Sequence, residues 1–307
     1  MQKIKLLKYV KGLNYILSPL QMGSKAIFIT GHGRSGTTWI GNTFKQAPDV
    51  LYYGEPCNPK VVEEGEYSHW FRYIRPNESD HYFESYLDSA FKGLITYGSY
   101  WLMKPYRRFL PGYRIVIKEV ASLLLLEWVY KRYHTDVLFV LRHPCDVALS
   151  EKNKNTSIDK PKKEILKQSN LIKDHLSPYV DIIQKAKTPF EIYGVLWGAR
   201  NRVIADLIQK YPEWKIVFYE DLCNNPVDSF RDLFDHFGLT WTSKVQKYIN
   251  RTTVEKKPGR FSIYRITKNQ ANKWKRKMNE NEIDQIRSFV EPFNLPFYNL
   301  DSDWSLS

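Results

Sequence analysis

The chain has 307 residues, 43% of them hydrophobic and 26% charged, which suits one large domain or two small ones with a sizeable core and excludes a disordered chain. Lys and Arg number 46 against 33 Asp and Glu, a formal charge of +13, and that favours anionic partners such as nucleotides, nucleic acid, acidic glycans or a membrane surface. Three cysteines without CxxC spacing argue against a disulfide framework or a zinc site and for a reducing, cytoplasmic setting.

The opening MQKIKLLKYVKGLNYIL carries four lysines and no acid, with apolar residues at roughly helical spacing. It lacks the uncharged core and cleavage site of a secretory signal, and no run in the chain reaches the roughly 18 to 20 apolar residues of a membrane span. A basic helix over 1–24, packed on the domain, is expected; a helix lying on a membrane surface is the alternative. AIFIT at 26–30 then reads as a strand covered on both faces, and GHGRSGTTWI follows it directly. VLYY runs up to Glu55 of YYGEPCNP and reads as the end of another strand.

Residues 67–113 hold 14 aromatics, about twice the density of the whole chain, interleaved with Arg72, Arg75, Arg107 and Arg108. Three further strand-like runs are YRIVIKEV at 113–120, DVLFVLR at 136–142 and WKIVFYED at 214–221. After the third strand-like run, RHPCDVALS puts Pro144 at a first helical position with Asp146 in the first turn. After the last, Asn225 can cap a helix that Pro226 opens, and Phe230, Leu233, Phe234 and Phe237 form its core-facing stripe up to Gly238. Residues 251–277 carry ten Lys or Arg and one acid, and Asn279 and Glu282 then have capping-box spacing. Strands alternating with helices predict an α/β domain over 25–300, a central parallel sheet flanked by helices, with an aromatic-rich insertion at about 60–112 on the acceptor side. In such sheets ligands sit beyond the strand C-terminal ends, so GHGRSGTTWI and RHPCDVALS should open on one edge.

The glycine loop has its own chemistry. Gly31 and Gly36 have the spacing of a Walker loop, but Thr37 stands where the lysine serving terminal phosphates belongs. The basic residue comes earlier, at Arg34, and N–H groups from Ser35 to Thr38 can point into the loop at a helix N-terminus. A smaller oxyanion than a triphosphate fits this site. His32 and His143 flank the motifs without a metal-ligand partner at useful spacing, so they are expected in loop and cap roles, and no metal is expected.

RSGTTW resembles the 5′-phosphosulfate loop of sulfotransferases that use 3′-phosphoadenosine 5′-phosphosulfate (PAPS). The family's second element is an arginine at a strand end with a serine eight residues on, and Arg142 and Ser150 have that spacing. A third, YED before a helix, recurs at Tyr219, Glu220 and Asp221. The resemblance implies a P-loop-like fold and transfer of a sulfuryl group, with adenosine 3′,5′-bisphosphate as the other product. It places Arg34 at the sulfuryl group and bridging oxygen, Ser35, Gly36, Thr37 and Thr38 around the 5′-phosphate, and Trp39 against adenine. It likewise places Arg142 and Ser150 on the 3′-phosphate and Tyr219 near adenine, and KKPGR, with Lys257 and Arg260, falls where cytosolic members carry a 3′-phosphate segment.

Cytosolic members use a histidine as base where this chain has Val120. Carbohydrate-directed members instead have a Glu-Pro pair soon after the first helix, and Glu55–Pro56 fits it. Glu55 is therefore expected as the base, with Arg34 and Lys118 as the other catalytic residues and Glu119 as the competing carboxylate, which faces away if Lys118 faces the cleft. A carbohydrate, glycoconjugate or glycolipid hydroxyl is the expected acceptor. Two rivals stand beside this reading. A kinase-like phosphoryl-transfer enzyme is disfavoured by the missing Walker lysine, and a basic nucleic-acid-binding protein by the lack of any recognised motif.

Overall fold

The computed structural model describes residues 25–58, 70–93, 112–152, 159–254 and 270–305. The expected helix over 1–24, much of the aromatic-rich insertion and the segment with Lys257 and Arg260 lie outside the described residues. Five strands, β1 (Ile27–Gly31), β2 (Val50–Gly54), β3 (Arg114–Lys118), β4 (Asp136–Leu141) and β5 (Lys215–Phe218), form a wholly parallel sheet in the order β2-β3-β1-β4-β5.

Every residue of β1 and β2 is buried, as near-continuous apolar runs in a sheet covered on both faces must be. Side-chain alternation divides the core. Ile27, Ile29, Val116, Leu138 and Val140 pack with α1 (Thr37–Phe44), while Phe28, Ile117, Phe139 and Leu141 join the opposite layer, which includes α2 (His81–Phe91) and α3 (Leu126–Tyr133). That second layer continues through α4 (Pro144–Lys152), the long α5 (Pro189–Lys210) and the later α9 (Glu280–Val290). On the first side, α6 (Tyr219–Asn224), α7 (Pro226–His236) and α8 (Ser243–Val254) complete the cover.

Local signals mark several helix ends. Thr188 and Glu191 form a reciprocal capping box ahead of α5, and Asn279 and Glu282 form the expected one ahead of α9. Phe230, Leu233 and Phe234 are buried on α7, and Gly238 follows with a φ of 59°. Two strands end at least two residues earlier than expected. β5 stops at Phe218, because Glu220 and Asp221 suit the first turn of α6 better than a strand. β3 stops at Lys118, although the Glu119 N–H still reaches Ile29 O at 2.9 Å. Among the described residues no helix is long and apolar enough to cross a membrane.

β1 and β4 are neighbours, and the connections leaving their C-terminal ends run through α1 towards β2 on one side and through α4 towards β5 on the other. This divergence opens a crevice at the carboxyl edge, the place where ligands bind in open α/β sheets.

Candidate active site

Beyond Gly31 the chain turns sharply: the Ser35 N–H donates to His32 O at 3.1 Å, and Arg34 and Gly36 have φ of 76° and 95°. Trp39 and Ile40 then donate to Gly36 O at 2.9 and 3.3 Å. Thr37 and Thr38 therefore sit in the first turn of α1, where a helix has no acceptor of its own for its N–H groups. The Ser35 hydroxyl is fully buried, and no described residue takes its hydrogen bond. Helix-terminal donors around an orphaned hydroxyl make a cradle for an anion.

Gly36 is required there twice over. Its φ of 95° is left-handed, and a Cβ would come within 2.4 Å of the Tyr219 ring. Gly36→Ala is expected to destabilise the protein by about 1 to 3 kcal/mol by displacing Tyr219 and straining the loop. Thermal unfolding checks this, and an unchanged Tm would mean that the loop and α6 are not packed together.

Arg142, immediately past β4, reaches back under the same loop. Its side chain is 10% exposed, pairs with Asp146 at 3.5 Å and donates to Arg34 O at 2.8 Å. Its guanidinium lies 4.2 Å from the Tyr219 ring centroid, and its Nε–H is buried without an acceptor among the described residues. Ser150, two turns along α4, accepts from Arg34 Nε at 2.7 Å. The sheet thus brings Arg34, the Ser35–Thr38 amides, Arg142, Ser150 and Tyr219 to one place. Trp39 faces inward instead: it is 5% exposed, its indole N–H donates to Thr252 at 3.1 Å, and its ring meets Phe230 edge-on.

The flanking histidines are structural in their contacts. His143 Nδ1 accepts from the Cys145 N–H at 3.3 Å, its ring stacks on Trp274, and burial pulls its pKa down to about 3, so it is neutral. His32 meets Arg200 of α5 at 2.8 Å, and the Arg200 guanidinium lies 3.6 Å from the centroid of the Phe71 ring. Sequence reasoning missed Arg200. Its signal was an arginine inside the buried stripe of α5, between Trp197 and Val203.

A second cluster forms where β2 and β3 end. Glu55 has a φ of 52°, and its side chain, 21% exposed, pairs with the nearly buried Lys118 ammonium. Asn58 Nδ2 donates to the other Glu55 oxygen at 2.6 Å. Glu119 is fully buried, its Oε2 accepting from the Cys57 N–H at 2.7 Å and its Oε1 from the Ala121 N–H at 2.9 Å. Burial first, and the neighbouring Glu55 charge second, push the Glu119 pKa up to about 7 against the pull of those two N–H groups and of Lys118. Of the two carboxylates weighed from sequence, only Glu55 reaches solvent. Asn58 was not singled out, although its place three residues after Glu55 is the spacing of a turn-closing partner. Among the described residues no group of three or more His, Cys, Asp or Glu could hold a metal ion.

A glycine loop between a parallel strand and a helix, backed by an arginine from the neighbouring strand, defines an anion-binding α/β protein. A family model described as the sulfotransferase family matches residues 26–243, and the chain belongs to that family. No curated protein matches the chain. Among solved structures it is similar to a sulfotransferase domain from the curacin biosynthetic pathway, with 14% identity over 89% of this chain and 99% of that one and a TM-score of 0.47. It is also similar to a mouse sulfotransferase complexed with PAP, with 13% identity over 92% and 87% and a TM-score of 0.46. A third is a sulfotransferase domain from the Synechococcus PCC 7002 olefin synthase, with 15% identity over 89% and 97% and a TM-score of 0.44. At this level of similarity none of them bears on the acceptor of this chain.

Proposed function

We propose that this sulfotransferase moves a sulfuryl group from PAPS to a hydroxyl of a carbohydrate or glycoconjugate, glycolipids included, by in-line displacement. The observation that carries the donor reading is the convergence of the Arg34 loop with Arg142 and Ser150 at the joined C-terminal edge of β1 and β4. PAPS supplies a sulfuryl group already activated on a phosphate. The orphaned Ser35 hydroxyl and the amides of Thr37 and Thr38 suit its 5′-phosphate, and Arg34 the oxygen that bridges phosphorus and sulfur. Arg142 and Ser150 suit the 3′-phosphate, with Tyr219 beside the base and Trp39 supporting that wall from the core. Lys257 and Arg260 are assigned to the 3′-phosphate by the family resemblance alone. Residues 25–300 form the catalytic domain on this reading.

Negative charge collects on the leaving phosphate oxygen as transfer proceeds. A guanidinium and fixed N–H donors there stabilise the transition state more than the ground state. Glu55 accepts the acceptor's hydroxyl proton, and Lys118 orients the carboxylate that receives it. Support for a sugar acceptor comes from Glu55–Pro56 and from Val120, which stands where cytosolic members have their histidine.

Incubation with labelled PAPS and a mixed panel of glycans, glycolipids and phenols tests the whole reading. A labelled carbohydrate product is expected, and activity should survive EDTA because Arg34 and the N–H groups of the Ser35–Thr38 loop already offset the modest charge of the sulfuryl group. Label on phenols alone would overturn the acceptor assignment. Magnesium-dependent transfer from ATP, with PAPS inert, would replace the donor assignment with the kinase-like alternative.

A further inference from the structure

The turn that carries Glu55 is held in an unfavourable shape. Glu55 has a left-handed φ of 52° although it has a side chain and precedes Pro56, a position that the proline ring drives towards extended backbone. Such conformations persist only where the surroundings over-determine them. Four hydrogen bonds do so here. The Glu55 N–H donates to Lys118 O at 2.6 Å and the Asn58 N–H closes the turn on Glu55 O at 3.2 Å. From the two flanking elements, Tyr82 of α2 donates its hydroxyl to Cys57 O at 2.9 Å, and Glu119 accepts the Cys57 N–H at 2.7 Å.

Glu119 is the member that joins two strand ends. One carboxylate oxygen takes the turn after β2 and the other takes Ala121 after β3, while its own N–H is fixed to β1 through Ile29 O. A buried carboxylate is costly unless it replaces its lost hydration, and two N–H donors from different segments do that only while the segments stay in register. We propose that Glu119 is a positioning residue: its buried carboxylate locks the 55–58 turn onto the end of β3 and so holds the Glu55 carboxylate against Lys118. This rests on the assignment of Glu55 as the base.

The role carries its own pH signature. The groups that face Glu119 are Glu55 on the turn, Lys118 on β3 and the Cys57 thiol, with Asp80 ahead of α2 and Ser122 beyond the strand also facing that thiol. Above about 7 the Glu119 carboxylate is ionised and can accept both N–H groups. Below that value it carries a proton, and the oxygen that holds it is a weaker acceptor. Removing the charge by Glu119→Gln also sets an amide NH2 against one of the two N–H donors, which breaks one anchor.

The test is steady-state kinetics with PAPS and the identified acceptor across pH, on wild type, Glu119→Gln, Tyr82→Phe and Glu55→Gln. Glu119→Gln is expected to lower kcat roughly 10-fold to 100-fold, the range for losing a hydrogen bond to a charged group. The KM for PAPS should hold, and the acid limb of kcat should move to lower pH because the protonation of Glu119 near 7, which weakens the anchor in the wild type, no longer occurs. Tyr82→Phe, which loosens the same turn without changing charge, should lower kcat more modestly and leave the limb in place; it also serves if Glu119→Gln does not fold. Wild-type kcat and an unmoved limb in Glu119→Gln would overturn the proposal, as would wild-type kcat in Tyr82→Phe were the other variant unfolded. Wild-type kcat in Glu55→Gln would instead overturn the base assignment beneath it.

Discussion

Arg142→Ala is expected to weaken binding of adenosine 3′,5′-bisphosphate by roughly 2 to 5 kcal/mol, the cost of removing one partner from a well-desolvated charge pair. The geometry sets this expectation. Arg142 is 9% exposed, and its Nε–H is aimed at no described residue, so a donor is already desolvated and waiting. Nothing in the fold needs that particular donor, whereas the contacts to Arg34 O and Asp146 use the other two guanidinium nitrogens. Removing the side chain also leaves Asp146, which is 2% exposed, without its cation. An uncompensated buried charge costs about 3 to 5 kcal/mol of stability, unless Asp146 takes a proton, and burial already raises its pKa. Calorimetry must therefore be run well below the unfolding midpoint. Arg142→Lys separates the two effects, because it keeps a charge near Asp146 and loses the planar fork. Unchanged affinity in folded Arg142→Ala would sink the assignment of the 3′-phosphate to this arginine.

What could be read from the sequence was whatever a single strand, helix or loop settles alone. The apolar runs at 26–30 and 136–142 sit in a doubly covered sheet for the reason their composition gives, and Pro144, Pro226 and Asn279 mark helix starts through local chemistry, whereas Asn225 takes the N-cap position without a side-chain capping bond. The meeting of Arg34 with Ser150 followed from one rule about strand ends, although 116 residues separate them. Contacts that depend on packing between layers were not legible. Trp39 lies in an amphipathic first turn, and only the arrival of α7 and α8 decides that its ring is buried and its N–H spent on Thr252. In sequence Glu119 is the competing carboxylate, and strand alternation turns it away from the cleft if Lys118 faces it. That it is sealed, with Cys57 and Ala121 on its two oxygens, follows from the sheet order that sets β2 against β3. Arg200 was hidden for the same reason, since its partners His32 and Phe71 come from distant parts of the chain.

Glu55→Gln is expected to lower turnover by roughly 10² to 10⁴ while leaving nucleotide affinity nearly intact, the span typical of a lost general base. Gln keeps the size of the side chain and can still accept from Asn58, so the turn should survive, but the amide cannot take up a proton and its NH2 opposes the Lys118 ammonium. Position makes Glu55 the stronger candidate of the two carboxylates. It is partly exposed at the sheet edge, where an acceptor hydroxyl can approach, whereas Glu119 is fully buried with both oxygens engaged. A base must come within hydrogen-bond reach of the proton it removes, and a sealed carboxylate does not. The loss should therefore fall on kcat, with little change in the calorimetric affinity for adenosine 3′,5′-bisphosphate, because Arg34, Arg142 and Ser150 follow β1 and β4 whereas Glu55 follows β2. Glu119→Gln, measured on the same acceptor, should cost less than Glu55→Gln. A larger loss in Glu119→Gln, with Glu55→Gln near wild type, would move the proton transfer to Glu119 and require the 55–58 turn to open during the reaction.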